Sequence, residues 1–133
     1  MVSAERLIGS FPQRVPAGYP SPSQDYENEP IDLTKELVKD QLATFLMTVA
    51  GTSMTGAGIL DNDKILIDRS LEARHGDVVV AVLDDEFTVK RLKITHRGIV
   101  LASENPDQPD IVVPELSELR IWGVVTWSIH KHR

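Results

Sequence analysis

Asp77-Val78-Val79-Val80-Ala81-Val82-Leu83-Asp84-Asp85-Glu86-Phe87-Thr88-Val89-Lys90-Arg91-Leu92-Lys93-Ile94 decides the fold. Two runs rich in β-branched residues flank a pair of aspartates, and aspartate tolerates the backbone angles of a tight connection. The stretch predicts a β-hairpin. Side chains alternate along a strand, so Thr88, Lys90, Leu92 and Ile94 share one face of the second strand. Phe87, Val89, Arg91 and Lys93 share the other. The pattern fits an inward lysine with the other cations turned away.

Working outward, strand-like runs recur. Leu42–Val49 carries Thr and Val at strand positions and stops before Gly51, and Lys64–Asp68 follows the turn residues Asp61-Asn62-Asp63. Further strands are expected at Ile99–Leu101, Ile111–Val113 and Leu119–Ile129. One short helix fits Ile31–Asp40, with Asp32 as N-cap and Leu33, Leu37 and Val38 at helical spacing. Many short strands and little helix imply a mainly β, compact antiparallel fold. Residues 1–30 differ: Pro12, Pro16, Pro20, Pro22 and Pro30 disfavour helix and predict an extended N-terminal arm. The expected domains are this arm, 1–30, and a folded body, 31–133. Leu7, Ile8, Phe11 and Val15 give the arm apolar surface for docking.

The chain has 133 residues, 41% of them hydrophobic, which fits one domain with an arm. Aromatics make up 5%, so Val, Ile and Leu must build the core. A formal charge of −6 opposes broad non-specific binding to nucleic acid, which needs a basic face. With no cysteine, disulfides, cysteine nucleophiles and thiolate zinc sites are excluded. No apolar run approaches the ~20 residues of a membrane span. The segment Met1–Leu7 carries Glu5 and lacks the apolar core of a secretory signal. A soluble, cytoplasmic protein is expected.

Ser53, in Gly51-Thr52-Ser53-Met54, and Lys90 stand out as a nucleophile and a base. A serine hydroxyl needs a base within hydrogen-bond reach. A lysine serves only as the neutral amine, which apolar burial favours. A turn after Gly51 can leave the Thr52 and Ser53 amides free to hold an oxyanion. Taken singly, the serine reads first as a turn hydroxyl satisfying backbone and the lysine as a solvated side chain.

The surroundings are more specific. Gly51–Met54, Gly58–Asp63, His75–Ala81 and Glu86–Leu92 resemble, in order, successive blocks of the LexA/UmuD self-cleaving serine–lysine peptidase family. The 37-residue interval from Ser53 to Lys90 fits it as well. Upstream, Gly18–Tyr26 and Ile31-Asp32-Leu33 resemble its UmuD branch, so the likeness runs from about Phe11 to the C-terminus. The resemblance implies a LexA/signal-peptidase-like β fold, Ser53 as nucleophile, Lys90 as general base and a scissile bond between Ala17 and Gly18. UmuD itself carries cysteine before the scissile glycine; Ala17 is the LexA-like choice.

The resemblance further implies an SOS-response mutagenesis protein. A RecA filament on single-stranded DNA would stimulate self-cleavage. The shortened homodimer would then join a Y-family, UmuC-like polymerase in translesion synthesis. It implies no cofactor, no metal, no sequence-specific DNA binding and no membrane association. Only 17 residues precede the bond, too few for a repressor's helix-turn-helix domain. Two alternatives stay open: a non-catalytic dimeric β-module that binds a partner, and a truncated LexA-like repressor peptidase domain. A membrane signal peptidase shares the dyad but needs an anchor.

Other features take plainer readings. His130-Lys131-His132-Arg133 is expected to be a solvated tail, and His75 a turn residue. Asp61-Asn62-Asp63 lacks the Gly and Glu of a calcium loop. Asp84-Asp85-Glu86 is a hairpin tip. Trp122 and Trp127 differ by an odd number, which predicts opposite faces, one in the core and one at a surface.

Overall fold

A computed structural model describes residues 7–23 and 27–133. The chain forms two compact units, Met1–Lys39 and Asp40–Arg133. In the first, β1 (Leu7–Ser10) pairs antiparallel with β2 (Glu29–Asp32), Leu7 facing Asp32 and Ser10 facing Glu29. Part of the proline-rich segment is therefore paired as strand, a detail that the expectation of an extended arm did not specify. Pro30 is tolerated because a two-stranded ribbon consists only of edges. Helix α1 (Leu33–Leu37) follows, and the Asp32 carboxylate accepts from Thr34 N at 3.0 Å, the N-cap expected there.

The second unit is built on one antiparallel sheet of seven strands. They are β3 (Thr44–Thr48), β4 (Lys64–Asp68), β5 (Val78–Leu83), β6 (Glu86–Thr95), β7 (Gly98–Ala102), β8 (Ile111–Val112) and β9 (Leu119–Ile129). Their spatial order is β3-β4-β9-β5-β6-β7-β8. The hairpin deciding the fold is β5–β6, with Val79 opposite Lys90. Its connection is Asp84-Asp85, at φ 47° and 69°, the positive pair a two-residue turn matching strand twist requires.

Strand β9 joins the two halves of the sheet, pairing through Val124–Ile129 with β4 and through Leu119–Val124 with β5. It does so through two register shifts, opposite Leu66/Ile67 and opposite Val80/Ala81. Extra residues in a strand sharpen its twist and upset alternation. Parity therefore does not assign the tryptophans their faces. Trp122 is half-buried against the core and Trp127 is 47% exposed.

Strand β5 feeds two cores. Val80 and partly buried Val78 pack with Val49, Met54, Ile59, Ile65 and Ile67. Val79 and Ala81 pack with Leu92, Leu101 and Val124. Removing each such aliphatic chain from water stabilises by about 1.5–3 kcal/mol. Leu92 is buried as the hairpin pattern requires, but Ile94 is 53% exposed near the end of β6. No helix of the described residues is long and apolar enough to cross a membrane.

Candidate active site

Ser53 lies on a loop that leaves β3 and is fastened on two sides. On the first, Val49 N donates to Asp63 O and Asn62 N to Val49 O, both at 2.8 Å. Gly51, at φ 99°, turns the chain while its N–H donates to Asp61 Oδ1 at 2.7 Å. A side chain would strain that left-handed backbone. On the second side, Glu104 N donates to Ser53 O at 2.7 Å and Gly56 N to Glu104 O at 2.6 Å. Asn105 Nδ2 donates to Thr52 O at 2.9 Å. Met54, 1% exposed, plugs into the core next to the serine, and a 3-10 turn over Thr55–Ala57 follows.

Lys90 sits within β6, opposite Val79 of β5 and just before the stretch that pairs with β7, and is 8% exposed. Its Nζ donates to Ser53 Oγ at 2.9 Å, Thr88 Oγ1 at 3.1 Å and Val89 O at 3.2 Å. Among the described residues no carboxylate makes an ion pair with it. Burial without a counter-charge disfavours the ammonium and pulls its pKa below the ordinary lysine value of 10.5. A neutral amine at this distance can accept the serine proton.

Beside the pair opens a cavity of about 260 Å³ lined by Met47, Val49, Ile65, Val80, Phe87 and Val89, together with Ser53 and Lys90. Its apolar walls suit a small aliphatic side chain held next to the hydroxyl. Among the described residues the Thr52 and Ser53 N–H groups have no acceptor, which leaves them available for an oxyanion. Ala17 and Gly18 belong to the first unit, in an exposed bend. Neighbouring Val15 and Tyr19 are 88% and 96% exposed.

The structure thus brings Ser53 and Lys90 together, with the Thr52 and Ser53 amides beside them. It also adds residues the sequence reading did not single out. Thr88 was detectable, since alternation sets it on the Lys90 side of the strand. Glu104 and Asn105 act through contacts made far along the chain and carry no local signature, and Asp61, expected only as a turn residue, also holds Gly51. The tail is a correction: His130 Nδ1 bonds the Asp63 carboxylate, which is 1% exposed, so the chain is tied down there and not simply solvated. Asp63 is held below the usual carboxylate range, first by the Leu60 N–H at 2.8 Å and further by His130, against the effect of its burial.

The Peptidase S24-like family model matches residues 7–126. Protein MucA of Escherichia coli is 42% identical over 126 residues, covering 94% of this chain and 86% of MucA. Protein SamA of Salmonella typhimurium (strain LT2) is 43% identical over 123 residues, covering 92% and 85%. A LexA repressor of Delftia acidovorans is 43% identical over 103 residues, covering 77% of this chain and 46% of the repressor.

Proposed function

The chain belongs to the Peptidase S24-like family, and from that premise we propose that it cuts its own Ala17–Gly18 bond with a Ser53–Lys90 dyad. The observation that carries this reading is the buried Lys90 amine 2.9 Å from Ser53 Oγ, with no counter-charge among the described residues. Neutral Lys90 removes the Ser53 proton as Oγ attacks the Ala17 carbonyl carbon. The oxyanion is held by the Thr52 and Ser53 N–H groups. The Ala17–Gly18 C–N bond then breaks, and the Lys90 ammonium returns its proton to the Gly18 nitrogen. Water, deprotonated by Lys90, hydrolyses the Ser53–Ala17 ester and frees residues 1–17.

Small residues on both sides of the bond suit a narrow apolar cleft, and the prolines keep the arm, 1–30, extended enough to enter it. The segment 31–133 serves as peptidase and dimerisation domain. A homodimer is supported by an exposed apolar row across β3, β4 and β9. There Leu46 (59% exposed) faces Leu66, which faces Trp127, while Ile129 (45% exposed) lies opposite Lys64.

The likeness to MucA and SamA, which covers most of each of those proteins, supports the reading as an SOS mutagenesis protein. In this role, in the cytoplasm, a RecA filament on single-stranded DNA stimulates cleavage by raising the share of time the arm occupies the cleft. The cleaved homodimer then serves a UmuC-like Y-family polymerase. The test is intact mass against time for purified protein, for Ser53→Ala and for Lys90→Ala, at rising pH and with RecA, single-stranded DNA and nucleotide. Loss of residues 1–17 in wild type alone supports the reading. Wild type that stays whole under both conditions overturns it.

A further inference from the structure

Arg91 follows the candidate base in sequence but is engaged elsewhere. Its Nε donates to Glu104 Oε1 at 2.5 Å, and its Nη1 donates to Gly76 O at 2.6 Å. Both partners of the ion pair are about one-third exposed (30% for Arg91, 34% for Glu104). Glu104 is the residue whose backbone clasps the nucleophile loop, through its N–H to Ser53 O and its O from Gly56 N. Asn105 fastens Thr52 alongside. A continuous path of hydrogen bonds therefore runs from the strand bearing Lys90, through the Arg91 fork and Glu104, to the carbonyl of Ser53.

The dyad needs this path for a geometric reason. Ser53 is on a loop and Lys90 on a strand, and no strand pairing joins the two. A catalytic loop anchored only at its own ends would leave the Oγ–Nζ distance loose, and misplacement by about 1 Å can cost roughly 100-fold in rate. Arg91 is suited to the task because its planar guanidinium holds two nitrogens, Nε and Nη1, in fixed directions toward Glu104 and Gly76, whereas a lysine would offer one freely rotating ammonium.

We propose that Arg91 and Glu104 are positioning residues that lock the Ser53 loop to β6 and so set the nucleophile–base distance. This rests on the Ser53–Lys90 reading, and two separate measurements test it. The first is the rate at which a fluorophosphonate probe labels Ser53, followed by intact mass in wild type, Arg91→Ala, Glu104→Ala, Glu104→Gln and the double alanine variant. The second is amide hydrogen exchange at Glu104 and Gly56 by NMR, which needs no catalysis. Thermal melts exclude global unfolding.

Labelling is expected to fall about 10- to 100-fold in either alanine variant. The double variant should be no slower than the worse single one, because both act through one link. Glu104→Gln keeps an acceptor for Arg91 Nε and should retain most of the rate. Protection at Gly56 and Glu104 should fall in Arg91→Ala. Unchanged labelling in the alanine variants, additive losses, or unchanged protection each overturn the proposal. If wild-type Ser53 resists the probe, the peptidase reading fails instead, and hydrogen exchange still decides whether Arg91 holds the loop.

Discussion

Gly56→Ala is a demanding perturbation because its intrinsic effect and its structural effect have opposite signs. Gly56 is not among the glycines at positive φ, so alanine fits its backbone torsions. On that ground alone, replacement should stabilise by about 0.4–1 kcal/mol through the unfolded chain. A Cβ at this position, however, would run into the carbonyl oxygen of Glu104 and lie 3.2 Å from its carbonyl carbon. Both atoms are backbone, so no side chain can swing aside. Relieving the clash costs about 1–3 kcal/mol as overpacking. It also stretches the Gly56 N–H to Glu104 O bond, worth about 0.5–1.5 kcal/mol. The net expectation is a loss of about 1–3 kcal/mol, or a fall in Tm of about 4–12 °C. Ser53 shares the Glu104 clasp, so self-cleavage should drop about 100-fold for a displacement on the order of 1 Å. Urea denaturation and intact-mass kinetics at 25 °C read both effects. A variant as stable as wild type, or one cutting at the wild-type rate, would refute the reasoning.

Self-cleavage should accelerate as pH rises, with a midpoint below the ordinary lysine value of 10.5 because burial lowers the Lys90 pKa. The linked stability effect has the same direction: the unfolded lysine binds its proton more tightly, so the penalty is full below the folded pKa of Lys90 and fades as pH climbs from there toward 10.5. Melting temperatures of wild type and Lys90→Met should therefore converge in alkali, and parallel curves would contradict this. Asp63 has a depressed pKa, so its contribution is present above 3.8 and lost as pH falls through its folded value. Asp63→Asn should accordingly flatten the acid limb of the thermal stability profile, and an unaltered limb would show that Asp63 contributes nothing to it. Thr88→Val removes the 3.1 Å contact to Lys90 Nζ and should slow cleavage several-fold with little change in Tm. Leu92→Ala, at a site 3% exposed, should cost about 2–5 kcal/mol in urea denaturation.

What the sequence displayed and what it concealed divides by the range of the interaction. The β5–β6 hairpin was legible because its alternation and its Asp84-Asp85 turn are local, and so was the Asp32 cap, set two residues from the amide it satisfies. The β1–β2 ribbon was not legible. Its strands are 18 residues apart (10 to 29) across proline-rich chain, and Pro30 argues against a strand until an edge is known to be available. The face of each tryptophan could not be read by parity, since the two register shifts of β9 depend on where β4 and β5 lie beside it.

The site divides the same way, with one physical lesson. Ser53 and Lys90 were visible as residue types, but their 2.9 Å contact is a property of the whole sheet. The nucleophile is oriented by backbone groups of Asp63 and Glu104, and backbone groups leave no trace in residue identity. Glu104 illustrates the difficulty: its side chain answers to Arg91 while its main chain answers to Ser53 and Gly56, so its type reflects only half of what it does. A substitution there that preserves the ion pair should consequently be tolerated. One that shifts the 103–105 backbone should not be, whatever side chain it carries.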